Sequence, residues 1–319
     1  MNILVTGGSG FIGSNFVEYA LEKGHDVTNL SKHTYASNPY ALKHLEGNPS
    51  YHFMAADITD PIAVSIAAQK KDAIVHFAAE THVDRSFTYP KDFFEVNTLG
   101  TFTILEVLRR MDHMPRVVCM STDEVLGEVL TGQSIESDPI NPRNPYSASK
   151  AAAEAFAKAY YYSYNVPVVI LRATNNYGPR QHPEKLIAKI ITRTLANKPF
   201  TLYEGDAVRD WLFVRDTCQA VELLLDKGKA GQTYHIGTPD HRTVKEVAET
   251  ILDIMGKSEL LAGFKGRRLQ DDERYSLDWG KIRETLGWRP QTSFESGVRA
   301  TIDWFRGNEW FWRHFVDTP

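Results

Sequence analysis

Three adjacent residues, Thr122, Asp123 and Glu124, combine a hydroxyl with two carboxylates directly after the largely apolar run at residues 116–120. Such a run is typical of a short buried strand, and in open α/β sheets ligands bind outside the carboxyl ends of the strands. The three side chains could supply a hydrogen-bond donor, a proton donor and a proton acceptor. They also form a typical helix N-terminus with the hydroxyl as N-cap, so both interpretations stand at this point.

A second pair with catalytic potential, Tyr146 and Lys150, opens an alanine-rich segment that the sequence predicts as a helix to about residue 164. Because the two residues are four positions apart, they lie on one face of that helix. A tyrosine titrates near ~10, and an adjacent ammonium with an oxidised nicotinamide would lower this pKa by roughly 1 to 3 units, which makes the phenolate a usable base. A packed helix start with a solvated lysine is the plain alternative.

The element that would position a cofactor lies at the N-terminus, where a strand, a glycine-rich turn and a helix follow one another. Glycines lack Cβ atoms, so a pyrophosphate can approach the N–H groups at the start of the helix. The alternative is a glycine turn without a ligand. The residues predicted to bind the cofactor here are Gly7, Gly10, Phe11, Ile12 and Gly13.

The second predicted strand, at residues 26–30, ends where an acidic residue usually holds the adenosine ribose 2′-hydroxyl. This chain has Ser31 there, followed by Lys32. Without a carboxylate a 2′-phosphate is not repelled and the cation would attract it, so NADP is slightly favoured while NAD stays open. Further cofactor contacts are predicted after the third and fourth strands, at Asp57, Ile58 and Ala78.

Alternating strand and helix patterns through residues 1–177 predict a doubly wound parallel sheet of the Rossmann type. The pattern changes in residues 178–319, and no flexible linker marks the boundary. We therefore predict a smaller, interleaved α/β domain that binds the substrate, with segments near residues 210–237 returning to the first domain. The site would lie in the cleft between them.

Composition argues against several other kinds of partner. A formal net charge of −4 gives no electrostatic reason to expect nucleic acid or an anionic membrane. With no signal peptide, no lipidation motif and no apolar run of spanning length, the cytoplasm is the default location. His82 has no Cys or His at metal-ligand spacing, so no metal site is expected. Cys119 and Cys218 stand in apolar contexts that indicate buried thiols.

Several segments of the chain resemble the extended short-chain dehydrogenase/reductases that act on nucleotide sugars. The finer motifs resemble nucleoside-diphosphate-glucose 4,6-dehydratases of the dTDP-glucose type. The resembling segments follow the family's order and comprise residues 78–86, 121–125, 145–150, 175–179, 183–187 and 208–211.

The resemblance implies a role for each matching residue. Tyr146, helped by Thr122 and Lys150, would take the proton of the sugar C4 hydroxyl while hydride passes to the nicotinamide. Glu124 would remove the C5 proton, and protonated Asp123 would release the C6 hydroxyl as water before hydride returns to C6. Adjacent carboxylates suit this division because charge on one disfavours charge on the other. The implied substrate-binding residues are His82, Ser86, Asn176, Lys185, Leu186, Arg209 and Arg274.

Departures from the family pattern concern mainly the cofactor ribose and the substrate. Ser31 replaces an acid, Leu126 a tyrosine and His182 an aromatic residue. The substrate is therefore expected to be a UDP- or dTDP-hexose without a choice between them, and poor hydride return would release a 4-keto-5,6-ene sugar. Alternatives are a 4-epimerase, which needs the threonine, tyrosine and lysine but neither carboxylate, and a non-catalytic dinucleotide-binding subunit.

Two further expectations concern the diphosphate and the assembly. Arg209 and Arg274, together with Arg267 and Arg268, are candidates for bidentate contacts with phosphate. The helix predicted at residues 90–111 carries more than one apolar stripe, so it can pack on its own sheet and on a partner, or be fully buried within one chain. The family resemblance implies a dimer through this helix and the one at residues 148–164. We expect a homodimer or a larger homo-oligomer.

Overall fold

The computed structural model describes residues 1–35, 37–38, 40–203, 207–258, 261–266 and 272–317. The strands in these ranges are β1 (Asn2–Thr6), β2 (Asp26–Ser31), β3 (Tyr51–Ala55), β4 (Ala73–His76), β5 (Arg116–Thr122), β6 (Val168–Ala173), β7 (Asn175–Tyr177), β8 (Phe200–Tyr203), β9 (Val208–Phe213), β10 (Thr233–Ile236), β11 (His241–Thr243) and β12 (Ala262–Lys265). The helices are α1 (Phe11–Glu22), α2 (Pro61–Ala68), α3 (Val83–Thr88), α4 (Pro90–Phe93), α5 (Gly100–Leu108), α6 (Pro145–Tyr164), α7 (Leu186–Leu195), α8 (Val214–Lys227), α9 (Val244–Met255), α10 (Gly280–Leu286), α11 (Phe294–Gly307) and α12 (Glu309–Asp317).

A seven-stranded sheet forms the centre of the molecule, in the order β10-β6-β5-β4-β1-β2-β3. Every neighbouring pair in it is parallel. The strand order reverses at β1, so a crevice opens at the carboxyl ends of β1 and β4. Strands β4 and β6 are buried along their whole length, as expected where helices cover both faces of a sheet. The predicted Rossmann-type sheet is confirmed.

A second apolar core lies outside the large sheet, among α7, α9, α11 and α12. Two small sheets accompany it, one in the order β11-β9-β7 and one made of β12 and β8. The chain crosses between the cores more than once, because β10 joins the large sheet and α8 packs on α1 and β5. The boundary that the sequence places at residue 177 stays a prediction.

The predicted continuous helix at residues 90–111 is interrupted. It consists of α4, a π-helical turn at Phe94–Leu99 and α5, which ends at Leu108. Asn97 lies in the π-helical turn, where its amide donates to the Glu80 carbonyl at 2.9 Å and to the Ser149 hydroxyl at 2.9 Å. Single π turns are frequent at functional sites. Here the turn lets one side chain join the loop after β4 to helix α6.

Local sequence explains where α6 begins. Asn144 is its N-cap and accepts a hydrogen bond from the Ser147 N–H at 2.8 Å, while the Ser147 hydroxyl accepts from the Asn144 N–H at 3.1 Å. Pro145 occupies the first helical position, where its missing N–H costs nothing. This capping box fixes Tyr146 in the first turn of the helix.

Three further expectations can be compared with the described residues. No helix in the described ranges is both long enough and apolar enough to cross a membrane. Within the same ranges no group of three or more His, Cys, Asp or Glu side chains is placed to hold a metal ion. Cys119 and Cys218 are buried free thiols, as predicted.

Candidate active site

A cleft of about 810 Å³ runs from the carboxyl ends of β1, β4 and β5 to α7 and β8. Its volume lies at the upper end of the usual range for ligand sites, so it has room for a large ligand or for two. All the residues predicted from the sequence to act in catalysis or to bind the cofactor line this cleft. They are Gly7, Gly10, Phe11, Ile12, Gly13, Ser31, Lys32, Asp57, Ile58, Ala78, Thr122, Asp123, Glu124, Tyr146 and Lys150.

The glycine turn fits a pyrophosphate. Gly7 has a φ of 73°, and a Cβ atom on it would lie 2.6 Å from the Ala78 nitrogen, so a side chain is excluded on two grounds. A Cβ atom on Gly13 would overlap the Gly7 carbonyl. Helix α1 starts directly after this turn, and its described first turn has neither a side-chain cap nor an acid. The helix N-terminus is therefore open to an anionic ligand.

The cofactor-ribose corner is held by hydrogen bonds within the chain. The Ser31 hydroxyl accepts from the Ser9 N–H at 3.2 Å and donates to the Asn29 amide oxygen at 2.8 Å, so it supports the glycine turn. The Lys32 ammonium lies 2.6 Å from the Asp57 carboxylate. Lys32, the cation on which the preference for NADP was based, is thus paired with the carboxylate of Asp57, a residue distant in sequence. The preference for NADP stays a prediction.

Strand β5 delivers the residues with which the sequence argument began. The Thr122 hydroxyl caps a 3₁₀ turn at Asp123–Leu126, where it accepts from the Glu124 N–H at 3.3 Å. It also donates to the Asp123 carboxylate at 3.0 Å. The helix-cap interpretation is confirmed, and the same cap sets the two carboxylates at the end of the strand. The catalytic interpretation stays a prediction.

Asp123 occupies an environment that suits a proton donor. It is 5% exposed, and burial together with the charge of Glu124 raises the pKa of its carboxyl to about 7. One carboxyl oxygen, Oδ2, is buried with no hydrogen-bond partner among the described residues. Glu124 is less buried and accepts from the Asn144 amide at 3.0 Å. The pair therefore offers a protonated acid beside a charged base.

Tyr146 is buried beside these carboxylates and close to the Thr122 hydroxyl. Burial, followed by the charge of Glu124, raises the pKa of Tyr146 well above its ordinary value. The Lys150 ammonium donates to the Met120 carbonyl at 2.6 Å. Burial and the nearby carboxylates thus act against the expected lowering of the tyrosine pKa. Because that expectation includes an oxidised nicotinamide, it stays a prediction.

Five of the predicted substrate-binding residues line the described walls of the cleft. The Lys185 ammonium donates to the Thr81 carbonyl at 2.9 Å at the start of α7. His82 caps α3, and its Nε2 atom lies 3.8 Å from the Glu184 carboxylate. The Arg209 guanidinium donates to the Asp272 carbonyl at 2.7 Å and lies 4.7 Å from the Tyr275 ring centre. The five are His82, Asn176, Lys185, Leu186 and Arg209.

Two predicted substrate contacts lie elsewhere. Ser86 is fully buried, and its hydroxyl donates to the Val83 carbonyl within its own helix at 2.6 Å. The Arg274 guanidinium donates to the carbonyls of Val129 at 3.0 Å and Gly132 at 2.8 Å, so it holds the loop after β5. The side chains of Ser86 and Arg274 thus donate their hydrogen bonds to backbone carbonyls of the chain itself.

Two other expectations drawn from the sequence have different outcomes. Leu126 packs with Val125, Ala151 and Leu277, away from the described cleft walls, so its identity says nothing of the substrate. Residues 267 and 268, the two further arginines proposed for the diphosphate, lie outside the described residues.

The cleft also contains residues that the sequence analysis did not single out. Lys189 and Arg193 follow Lys185 on α7, and all three line the cleft. Their spacing of four residues places them on one helical face, which the sequence could have revealed. Tyr203 of β8 and Phe315 of α12 complete this end. No sequence pattern pointed to these aromatic residues.

This combination of fold and site defines a nicotinamide-dependent enzyme of the extended short-chain dehydrogenase/reductase class. The family model described as GDP-mannose 4,6 dehydratase matches residues 4–301. The chain belongs to this family. The match includes residues of both apolar cores, so it is not confined to the large sheet.

Relatives within the family share nearly the whole chain. The dTDP-glucose 4,6-dehydratase of Haemophilus influenzae is 41% identical, over 97% of this chain and 98% of its own. The crystal structure of DesIV, a dTDP-glucose 4,6-dehydratase from Streptomyces venezuelae with NAD bound, has a TM-score of 0.95 at 41% identity. Its match covers 98% of this chain and 99% of DesIV.

An epimerase is also similar, although at lower identity. The UDP-glucose 4-epimerase of Thermus thermophilus in complex with NAD has a TM-score of 0.88 and 34% identity, over 96% of this chain and 99% of its own. The higher identity to dehydratases agrees with the Asp123–Glu124 pair. The prediction of a nucleotide-sugar 4,6-dehydratase that uses NAD or NADP is confirmed.

Proposed function

We propose that this chain converts a dTDP-hexose into its 4-keto-6-deoxy derivative. The observation that carries the proposal is the buried Asp123 carboxyl, whose pKa is raised to about 7 beside Glu124, in the same cleft as Tyr146. Elimination of water needs an acid and a base in addition to the residues that serve oxidation at C4, whereas epimerisation at C4 does not need this second pair. The dTDP-glucose 4,6-dehydratases among the relatives support the choice of nucleotide.

The first step in this proposal is oxidation at C4. A bound nicotinamide supplies a reversible hydride acceptor and, when oxidised, a positive charge. Tyr146 takes the proton of the C4 hydroxyl, and the Thr122 hydroxyl, which lines the same cleft, holds the same oxygen. Lys150 stays in a fixed place through its hydrogen bond to the Met120 carbonyl. A positive charge near Tyr146 is needed because burial holds its phenol protonated.

Elimination follows at C5 and C6. The ketone at C4 acidifies the C5 proton, which Glu124 takes. Asp123 gives its proton to the C6 hydroxyl, which leaves as water. Hydride is then added at C6, and C5 regains a proton from Glu124. The proton that Tyr146 took from the C4 hydroxyl balances the one that Asp123 gave up, so the cycle loses one water and nothing else.

The diphosphate is proposed to bind at the N-terminus of α7. The first turn of that helix, all of it within the described residues, has no side-chain cap and no acid. Lys185 stands at its N-cap position and adds a cation. Arg209 and Asn176 line the same cleft and would contact the remaining phosphate and sugar oxygens.

Product mass separates the possible activities. The purified protein is incubated with dTDP-glucose and, in parallel, with UDP-glucose, and the nucleotide sugars are analysed by mass spectrometry. A product lighter by one water, formed faster from dTDP-glucose, is the expected result. A product lighter by water and two hydrogens would instead assign the 5,6-ene outcome. An unchanged mass with inverted C4 would assign epimerisation and overturn the proposal.

We propose NAD, in place of the NADP that the sequence slightly favours, as the cofactor in use. Lys32 and Asp57 form an ion pair with no net charge in the corner of the cleft where the adenosine ribose is expected. A 2′-phosphate would therefore gain little electrostatic attraction from these two residues. Both solved structures compared above contain NAD. Titration of the protein with NAD and with NADP tests the choice, and tighter binding of NADP would reverse it.

We also propose a homodimer formed through α4, α5, the π-helical turn between them, and α6. Phe94, Leu99 and Phe156 on these helices are 57%, 38% and 39% exposed. Phe156 packs edge-on against Phe102, with ring centres 5.5 Å apart, which joins the two helices into one surface. An apolar surface of this kind favours a second copy of the chain.

A further inference from the structure

Helix α6 carries three polar residues at a spacing of four: Tyr146, Lys150 and Glu154. This spacing places them in one row along the helix. All three are buried, with Lys150 at 6% and Glu154 at 1% exposure. The first two already have roles in the proposed reaction, and Glu154 has none.

Glu154 is held by two strands of the large sheet. Its carboxylate accepts from the Arg172 guanidinium at 2.7, 3.0 and 3.2 Å. It also accepts from the Ser121 hydroxyl at 2.5 Å. Ser121 and Arg172 are partners in the β5–β6 register, and Ser121 directly precedes Thr122. The carboxylate therefore connects α6 to the end of β5, which leads into the 3₁₀ turn at Asp123–Leu126, called the catalytic turn below.

Stability alone is a weak reason for this arrangement. Removing an ion pair from water is costly, and apolar residues of similar size often stabilise a fold equally well or better. The hydrogen-bonding groups of the Glu154–Arg172 pair are also satisfied, because the Arg172 guanidinium makes a further contact with His235 at 3.3 Å. A fully satisfied buried pair in contact with the catalytic strand indicates a role in positioning.

Glu154 is the anion beside Lys150. His76, on β4, has its pKa lowered to about 3 by burial and by Lys150, so it is neutral. Cys119, on β5, has its pKa raised to about 11 by burial, so its thiol keeps its proton. Tyr146, on α6 itself, is held protonated by burial. Among the described groups whose charges act on Lys150, Glu154 is thus the one that carries negative charge.

We propose that Glu154 is a positioning residue that keeps the buried Lys150 side chain charged and fixes the end of β5 beneath the catalytic turn. Burial disfavours the ammonium, and Glu154 opposes that effect. The Glu154 carboxylate can stay ionised in this buried place because its three hydrogen bonds from Arg172 replace those it would make to water. The importance of Lys150 for catalysis rests on the proposed function, whereas its state of charge does not.

The expected size of the effect follows from distance. Residues one helical turn apart have Cβ atoms about 6 Å from each other, and at an effective dielectric of ~20 two charges at that separation shift each other's pKa by about 2 units. Arg172 is present in both the parent and the variant, so it does not reduce the change. Glu154→Gln, which keeps the size of the side chain, should therefore lower the pKa of Lys150 by roughly 1 to 2 units.

The direct test is a titration of Lys150 by NMR. Protein labelled with ¹³C at lysine Cε is titrated, and Lys150→Arg identifies the resonance. Glu154→Gln should lower the titration midpoint, and Glu154→Asp should leave it close to that of the parent. Asp216→Asn is the matched control. Asp216 is another buried acid, on α8, and accepts from the Thr292 N–H at 3.0 Å. Its substitution should leave the Lys150 titration midpoint unchanged.

Two outcomes would overturn the proposal. One is a Lys150 midpoint that is the same in Glu154→Gln and the parent. The other is a ratio of variant kcat to parent kcat that is the same at every pH, as a merely structural role predicts. Loss of the Lys150 charge should instead make this ratio fall further as pH rises. Should Glu154→Gln fail to fold, Glu154→Met with Arg172→Met removes both charges, and the Lys150 midpoint must still fall.

These measurements separate this proposal from the proposed function. If the parent converts no nucleotide sugar but Lys150 still titrates lower in Glu154→Gln, the function is wrong and the role of Glu154 stands. If the parent is an active dehydratase and the Lys150 midpoint does not move, the function stands and the role of Glu154 is wrong.

Discussion

Asp123 carries its carboxyl group in a setting that favours the protonated form near neutral pH, because burial and the charge of Glu124 raise its pKa to about 7. Asp123→Asn keeps the size of this side chain and removes the acid. We expect kcat for dehydration to fall by about 10²–10⁴-fold, the usual contribution of a general acid, with little change in KM. Steady-state kinetics checks this, and a variant with parental kcat would remove Asp123 from the mechanism.

The same pKa predicts how activity depends on pH. In the proposed mechanism Asp123 works in its protonated form, so the rate is expected to fall as pH rises through the pKa of about 7 and not to fall for this reason below it. The alkaline limb of kcat should therefore be centred near neutrality. In the residual activity of Asp123→Asn that limb should disappear, and its persistence would assign the limb to another group.

The Lys32–Asp57 pair offers a test of cofactor choice, since these charges stand 2.6 Å apart in the corner of the cleft where the adenosine ribose is expected. Asp57→Asn removes the acid and leaves Lys32 unbalanced. We expect NADP to gain about 5- to 10-fold over NAD in the ratio of Kd values, as suits one partly exposed charge. Quenching of tryptophan fluorescence measures both affinities. Lys32→Gln is the control and should move the ratio in the other direction.

At the scale of elements, Asn144 joins a helix start to the catalytic turn. Its side chain caps α6 and also donates to the Glu124 carboxylate at 3.0 Å. Asn144→Asp retains a good N-cap but exchanges the donor for a second negative charge. We expect nearly parental thermal stability with a kcat at least 10-fold lower, because the base loses a fixed partner.

Two further variants separate the cap from the donor. Asn144→Ala should lose both functions, with about 1–2 kcal/mol of unfolding free energy. Ser293→Ala removes the N-cap of α11, a helix that contributes no residue to the described cleft walls, and should cost stability without affecting kcat. Equal losses of activity in Ser293→Ala and Asn144→Asp would show that the effect is one of stability alone.

Particular elements show how far the sequence leads. The glycine turn, the end of β5 and the start of α6 were predictable because each depends on local pattern: missing Cβ atoms, an apolar run and a capping box. Ser86 and Arg274, which the resemblance implies as substrate contacts, lie outside the described cleft walls because each side chain donates to a backbone carbonyl that the sequence does not reveal. The ion pair of Lys32 could not be predicted from the sequence because its partner Asp57 follows another strand, β3. The π-helical turn left no pattern at all.

At the scale of the whole molecule, the same helix that carries Tyr146 also carries part of the proposed dimer surface. Phe94→Glu places a charge at its centre, on a residue that is 57% exposed in the single chain. We expect light scattering after gel filtration to give twice the chain's mass for the parent and the mass of one chain for this variant. A parent that elutes as a single chain would contradict the homodimer.

The consequence for activity follows from packing. Tyr146 packs edge-on against Phe93, with ring centres 6.2 Å apart, and Phe93 immediately precedes Phe94. Loss of the partner should therefore loosen the helix pair and lower kcat as well as the mass. Leu130→Glu is the matched control, because Leu130 is 63% exposed on the loop after β5 and away from these helices. It should leave both the mass and kcat at parental values, and a monomeric Leu130→Glu would move the interface to that loop.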